Sequence, residues 1–247
     1  MTTQTSTVAL VIGASGGLGR ALWRQLKADG GYANVLAVSR SAPESADAHW
    51  FQADAGCAEQ LSGVAEQIGQ RFGRVDLLIN CTGMLHEDGS RPEKSLRELR
   101  LSSFEKLMTV NAFAPLAALQ AFSPLLRKAG DTSRSAIAVT LSAMVGSITD
   151  NHLGGWYSYR MSKAALNMGL RNAAIELARY QDGPIVVAVH PGTTLTSLSA
   201  PFVGGQRRDT AARPAAESAT HILDVIAGLS REDTGKFLNW DASELEW

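Results

Sequence analysis

A glycine-rich turn, Gly13-Ala-Ser-Gly-Gly17-Leu-Gly19, follows the apolar run Val8–Ile12 directly and opens onto the amphipathic stretch Leu18–Ala28. A buried strand that ends in such a turn and feeds a helix has few continuations. The usual one is a crossover back to a parallel strand, with glycines where a Cβ would block close backbone approach. The rest of the chain repeats this unit. Val35–Ser39, His49–Gln52, Val75–Asn80, Ala136–Leu141 and Ile185–His190 are short apolar runs, and Glu59–Phe72, Phe104–Lys128, Trp156–Tyr180 and Ala215–Leu229 carry helical spacing between or after them. Lys236–Trp240 reads as an edge strand. Alternation of this kind predicts an α/β fold, a doubly wound parallel sheet in a single domain spanning 1–247. Pro115, inside the long helix, should bend or perturb it.

Two stretches interrupt the rhythm, Gly83–Ser102 and Thr193–Pro214. Each follows a strand end, where ligands bind in doubly wound sheets, and connections longer than about 12–15 residues seldom lack a role. Both are expected to line a substrate pocket.

Composition limits the partners. With 23 basic and 24 acidic residues the net charge is −1, and neither sign forms a block, so nothing points to nucleic acid or a membrane surface. The two cysteines, Cys57 and Cys81, have no metal or disulfide spacing, and the five histidines show no ligand pattern, so no metal is expected. The first residues, Met-Thr-Thr-Gln-Thr-Ser-Thr, lack a basic segment followed by an apolar run, and the expectation is a cytoplasmic protein.

The glycine turn is a variant of the dinucleotide fingerprint, placed between strand and helix as that fingerprint requires. A pyrophosphate can sit on the free N–H groups of such a helix start. At the end of the second strand, where an acid would select a ribose 2′-OH, stands Ser39-Arg40-Ser41. Arg40 can pair a phosphate with its planar fork, and Ser39 or Ser41 can add a hydroxyl, which predicts NADPH over NADH. The plainer alternative is a solvated turn arginine. Asp54, after the third strand, would lie near the adenine.

Tyr159 and Lys163 stand four apart on a predicted helix and so share a face. A free phenol has a pKa near 10; a cation within about 4–6 Å favours the phenolate, and lowering the pKa by roughly three units corresponds to about 4 kcal/mol. A tyrosine so tuned exchanges a proton with an alcohol or carbonyl oxygen, and with a nicotinamide nearby the pair points to an oxidoreductase.

With the glycine turn, Asn80-Cys-Thr-Gly83, Asn111, Ser142, Tyr159-x-x-x-Lys163 and Pro191-Gly192 in this order, the chain resembles the short-chain dehydrogenase/reductase family over its whole length. Val145-Gly-Ser-Ile-x-Asp-Asn-x-x-Gly-Gly-Trp-Tyr-Ser-Tyr159-Arg and His190-Pro-Gly-Thr are similar to the branch of bacterial C-factor proteins and insect sniffer-type carbonyl reductases. The resemblance implies NADPH-linked reduction of an aldehyde or ketone, with a nucleotide-binding signalling protein of little turnover as the alternative. It implies that Tyr159 is the acid/base and that Lys163 holds the nicotinamide ribose. Asn111 would support a water-linked proton relay, and a serine would orient the substrate oxygen. Gly13, Ser15, Gly17, Leu18, Gly19, Asn80, Gly83, Pro191 and Gly192 would line the cofactor, joined by Arg40 and Asp54 and by Thr193 and Thr196 of the loop that follows.

The serine departs from the family pattern. The family has a Ser-Ser pair whose second member stands three residues before a glycine; here Gly146 points to Ala143, with Ser142 one place earlier. Successive strand residues face opposite ways, so Ser142 reaches the site only where the strand has ended or bulged. Ser142 is the expected partner of the substrate oxygen, with Ser147, or no serine, as the alternatives. Tyr157 is expected on the opposite helix face from Tyr159. Leu85, Met144, Trp156, Leu195 and Phe202 suggest an apolar or aromatic carbonyl substrate, and the apolar helices suggest a homodimer or homotetramer.

Overall fold

All five residues of β1 (Val8–Ile12) are buried, and their side chains alternate between two cores. Val8, Leu10 and Ile12 join one apolar cluster, Ala9 and Val11 the other, as the two-residue period of a strand covered on both faces demands. The structure, a computed structural model, describes residues 6–41, 47–86, 91–130, 135–200 and 212–247. β1 is followed by α1 (Gly17–Asp29), β2 (Asn34–Ser39), β3 (Trp50–Gln52), α2 (Ala58–Phe72) and β4 (Leu77–Asn80). Then come α3 (Leu101–Met108), α4 (Ala114–Ala129), β5 (Ile137–Leu141), α5 (Tyr157–Leu177) and β6 (Ile185–His190). The two-residue strands β7 (Thr194–Leu195) and β8 (Arg213–Pro214), α6 (Ala215–Gly228) and β9 (Phe237–Asn239) complete the order.

The main sheet runs β3-β2-β1-β4-β5-β6-β9 with every neighbouring pair parallel. Residues from α2, α4 and α5 pack one face, with Phe122, Leu126 and Leu166 fully buried; residues from α1 and α6, including Leu22 and Ile222, pack the other. Full burial of a side chain such as Phe122 contributes roughly 1.5–3 kcal/mol. Strand order reverses at β1, whose neighbours are β2 and β4. The crevice at the carboxyl ends of β1 and β4 is therefore the place where this topology binds ligands.

The long helix expected over Phe104–Lys128 begins at Leu101 and is interrupted. Thr109–Phe113 forms a π-turn, with the Ala114 amide reaching the Thr109 carbonyl. Pro115 has no N–H, so it cannot return a bond to the Asn111 carbonyl four residues earlier, and the wider turn absorbs the mismatch. Pro124 makes a second gap, at the Gln120 carbonyl. There the Ser123 hydroxyl donates instead, at 3.1 Å. The whole stretch Leu101–Ala129 is long and apolar enough to cross a membrane, but 56% of its most apolar window is buried, as expected of a helix packed on a sheet.

Candidate active site

The turn after β1 folds as its glycines allow. Gly13 has φ +82°, and a Cβ there would meet the Cys81 carbonyl carbon at 3.1 Å. A Cβ on Gly19 would stand 2.3 Å from the Gly13 carbonyl oxygen, and one on Gly17 would stand 3.0 Å from the Thr196 methyl. Side chains at these positions would fill the cradle that a pyrophosphate needs. α1 has no side-chain cap and no acid in its first turn, which leaves its N-terminal dipole for an anion. Thr196, predicted on sequence grounds, does lie against this turn.

The end of β4 supplies the next wall. Asn80 Oδ1 accepts from the Thr82 amide at 2.9 Å and the Thr82 hydroxyl at 2.6 Å, while its buried Nδ2 has no partner. Gly83 lies where a Cβ would be 3.7 Å from both Asn111 Oδ1 and Lys163 Nζ, so three predicted site residues meet there. Asn111 is fully buried on the π-turn. Its amide receives the Met84 N–H and donates to the Met84 carbonyl, both at 2.7 Å, and donates to Ser162 Oγ at 2.9 Å. The side chain is thus fully committed, which leaves the main-chain carbonyl, to which Pro115 cannot donate, as the part of Asn111 with capacity for a ligand.

Tyr159 and Lys163 lie one turn apart on α5, both buried. The phenol packs among Leu85, Leu107 and Ala143, with the Trp156 ring edge-on at 6.2 Å and 67°. Its hydroxyl makes no hydrogen bond to a described residue. Lys163 Nζ donates to the Leu141 carbonyl at 3.0 Å, not to the phenol. The expected lowering of the phenol is not seen: burial pushes Tyr159 well above its ordinary range, and burial lowers Lys163 to about 8. Desolvation acts on both groups against charge, so in this state the pair is a protonated phenol beside a weakly held cation.

The serine expectation needs correction. The Ser142 amide donates to the Val189 carbonyl at 2.8 Å, which continues the ladder past the end of β5 without a bulge. Its hydroxyl donates to Asn167 Oδ1 at 2.6 Å. Ala143, extended at φ −149° and ψ 142°, turns the other way and packs on Tyr159. Ser147 is held elsewhere, its hydroxyl donating to the Trp247 carbonyl at 3.2 Å and receiving the Asp150 amide. An alanine methyl, not a hydroxyl, therefore faces the phenol.

At the adenosine end Arg40 is exposed and its carbonyl receives Gln52 Nε2 at 2.8 Å. Ser39 is used internally, donating to the Ser41 carbonyl at 2.6 Å and accepting from Trp50 Nε1 at 3.0 Å, so Ser41 is the hydroxyl left for a ligand. Asp54 Oδ1 closes a turn on the Gly56 amide at 2.9 Å. After β6, Gly192 has φ +73°, and a Cβ there would strike the Arg213 guanidinium at 2.7 Å. The Thr193 carbonyl accepts the Arg213 amide at 2.9 Å. His190 at the strand end is pushed down to about 4, by burial first and by Lys163 and Arg213 second. Cys81 is pushed up to about 12 by burial and is an inert thiol.

The match to known proteins is broad. The short chain dehydrogenase family aligns with residues 7–206. The chain belongs to that family. Within it the chain is 34% identical to the C-signal protein of Myxococcus xanthus over 175 residues, 71% of this chain and 94% of that protein. It is 28% identical to the 1-hydroxy-2-glutathionyl-2-methyl-3-butene dehydrogenase of Rhodococcus sp. (strain AD45), covering 98% of this chain and 100% of the relative. Among solved structures, the carbonyl reductase Sniffer of D. melanogaster superposes with TM-score 0.84 at 22% identity over 99% and 100% of the two chains. The NADPH-bound carbonyl reductase from chicken fatty liver gives 0.81 at 29% identity over 98% and 99%. The chain is thus a family member of the C-factor and sniffer branch, with its doubly wound fold.

Leu85 and Leu107, which pack on Tyr159, also line a cavity of about 340 Å³ together with Arg91, Glu93, Glu98 and Arg100. Of the apolar wall expected from sequence, Leu85 and Trp156 lie at the phenol. Met144 and Leu195 are exposed, and Phe202 lies outside the described residues. Tyr157, as expected, takes no part in the Tyr159 cluster. Glu93, Asn167 and Ser158 were not foreseen, although the charged loop after Gly83 and the lack of an acid at the start of α5 were legible signals.

Proposed function

We propose that the protein reduces an aldehyde or ketone with NADPH, Tyr159 giving its proton to the carbonyl oxygen. The observation that carries this is Tyr159 itself: a protonated phenol with no hydrogen bond to a described residue, packed on Leu85 and Leu107 of the cavity lining and one helical turn from Lys163, whose ammonium lies near Gly83 and Asn111. NADPH, when bound, supplies the hydride. The chain's residues do the rest. The glycine turn and the first turn of α1 hold the pyrophosphate, Asn80 Nδ2 and Lys163 have hydrogen-bond capacity for the riboses and adenosine end, and Arg40 with Ser41 reads a 2′-phosphate. The chicken relative's bound NADPH supports that preference. Tyr159 transfers its proton as charge develops on oxygen, and the Asn111 carbonyl, to which Pro115 cannot donate, would anchor the water that returns it.

The cavity's mixed lining favours a substrate less apolar than composition suggested. Glu93 and Glu98 are occupied by Ser158 and by the Lys94 amide, whereas Arg91 and Arg100 pair with no described residue. A carbonyl compound with a carboxylate beyond an apolar body suits this wall. Oxidation of NADPH followed by absorbance across a panel of aldehydes, ketones and quinones tests the reading; nucleotide binding without turnover on any of them would sink it.

One observation favours a second reading. Ala143 leaves Tyr159 without a hydroxyl partner at the substrate oxygen, and the C-signal relative is named for signalling, so a nucleotide-binding signalling protein with weak turnover is the alternative. Self-association fits either one: Met161, Met168 and Ile175 are exposed on α5 at seven-residue spacing, a stripe on one face suited to the same helix of a second copy. Light scattering after gel filtration measures it.

A further inference from the structure

The catalytic helix does not cap itself. α5 begins at Tyr157 with no side-chain cap and no acid in its first turn, and its N-cap residue Trp156 is left-handed at φ 52° and ψ 42°. Trp156 is preceded by Gly154 at φ +61° and Gly155 at φ +66°. The two glycines adopt this conformation without strain, but a bulky aromatic such as Trp156 persists in it only where the surroundings hold it.

Asn151 Oδ1 accepts the Gly154 amide at 3.1 Å, and Trp156 itself is held by Glu93, more than sixty residues away in sequence. Its carbonyl accepts the Trp156 amide at 2.5 Å. Its carboxylate accepts the Ser158 amide at 3.3 Å and, through the other oxygen, the Ser158 hydroxyl. Glu93 is 6% exposed and Ser158 is fully buried, so the bonds are shielded from water. A Cβ on Gly155 would lie 3.5 Å from the Glu93 carbonyl oxygen, so the turn runs close along residue 93. A carboxylate at the start of a helix also meets the positive end of its dipole.

Glu93 belongs to the cavity wall, and Ser158 precedes Tyr159. We propose that Glu93 is a positioning residue for the reaction: it clamps the first turn of α5 to the substrate loop, so that the Tyr159 phenol and the Trp156 ring are held at a fixed place against Leu85 and Leu107 of the cavity lining. The clamp acts through Ser158 and Trp156 and touches no reacting atom. It rests on the carbonyl-reductase reading, and misplacement of a reacting group by about 1 Å can lower a rate by 10².

The test compares wild type, Glu93→Ala, Glu93→Gln and Ser158→Ala. Three quantities are measured: kcat and KM on an aldehyde that wild type reduces, the NADPH dissociation constant, and amide hydrogen exchange in substrate-free protein. Glu93→Ala should lower kcat about 30- to 100-fold with NADPH affinity within threefold, and exchange over residues 156–161 should accelerate at least tenfold while the glycine turn stays protected. Glu93→Gln, which keeps an acceptor for Ser158, should recover most of kcat. Should Glu93→Ala not fold, Ser158→Ala removes the same bond from the other side, with a predicted kcat loss of about 3- to 10-fold and the same local exchange. Unchanged exchange over 156–161, or a kcat loss matched step for step by lost NADPH affinity, overturns the clamp. Wild type that turns over no carbonyl overturns the reading beneath it; the exchange, needing no substrate, reports separately on the clamp.

Discussion

Ala143→Ser places a hydroxyl where the structure has a methyl against Tyr159. Ala143 packs in the same small cluster as the phenol, Leu85 and Leu107, so an Oγ on its Cβ is expected within reach of an oxygen bound to Tyr159. Loss of one preorganised donor to a developing oxyanion costs about 10²–10³ in kcat. A donor added to a site that evolved without it is less well aligned, so a gain of about 10- to 100-fold is expected, or about 1.4–2.7 kcal/mol of barrier. KM should change little, because the bond strengthens mainly as charge develops on oxygen.

The companion variant separates the two serines. Ser142→Ala removes the donor to Asn167 Oδ1, and Asn167 Nδ2 already lacks a partner, so a buried amide is left largely unsatisfied. That costs about 1–3 kcal/mol of stability, to be read from chemical denaturation, with a secondary loss of rate. Steady-state NADPH oxidation on one aldehyde, run on both variants, decides. If Ala143→Ser folds normally yet is no faster, while Ser142→Ala loses 10² in kcat at unchanged stability, then Ser142 reaches the substrate and the orientation argued here is wrong.

Four further outcomes are expected. Tyr159→Phe should lower kcat by about 10² to 10⁴ with NADPH affinity nearly intact in a fluorescence titration; wild-type rates would remove it from the mechanism. Because burial lowers Lys163 to about 8, its cation is lost as pH rises through that value, and kcat/KM should fall above about pH 8; a flat profile to pH 10 would contradict a role for the charge. Arg40→Ala should weaken NADPH at least tenfold and leave NADH unchanged, by isothermal titration. A carboxylate-bearing benzaldehyde should show higher kcat/KM than its methyl ester, with the preference lost in Arg91→Glu/Arg100→Glu; equal effects on both compounds would refute anion recognition by that wall.

The fold was open to sequence reasoning because its determinants are local and repeated. Each strand is a short apolar run, each connecting helix carries its own period, and a right-handed crossover leaves little freedom in assembling them. Most boundaries moved by one to three residues, and the start of β4 shows how local and tertiary demands can differ. Val75 and Asp76 read as strand, but the Asp76 carboxylate is spent on the Val8 amide and Arg74, which fixes that segment as an anchored lead-in to β4. Pro115 was recognised as a perturbation. Its form, a π-turn that presents Asn111, depends on where α3 and α4 must each pack.

The site was legible to the extent that its geometry is set within one element. Tyr159 and Lys163 share a helix face by spacing alone, and glycines at the turn after β1 follow from contact distances no side chain could meet. Their electrostatics were not legible, since the phenol's ionisation depends on how deeply Leu85, Leu107 and Trp156 bury it, and those residues come from three separate segments. The same limit explains the serine. Whether residue 142 or 143 faces Tyr159 turns on whether the ladder runs one residue beyond Leu141, and that is settled by a hydrogen bond to Val189 on another strand. Glu93 is the extreme case: nothing near it in sequence calls for a carboxylate, and the need appears only at the unprotected start of α5. A function that sits at the junction of several elements is written in the pairs that join them, and here those pairs are Ser142 with Asn167 and Glu93 with Ser158.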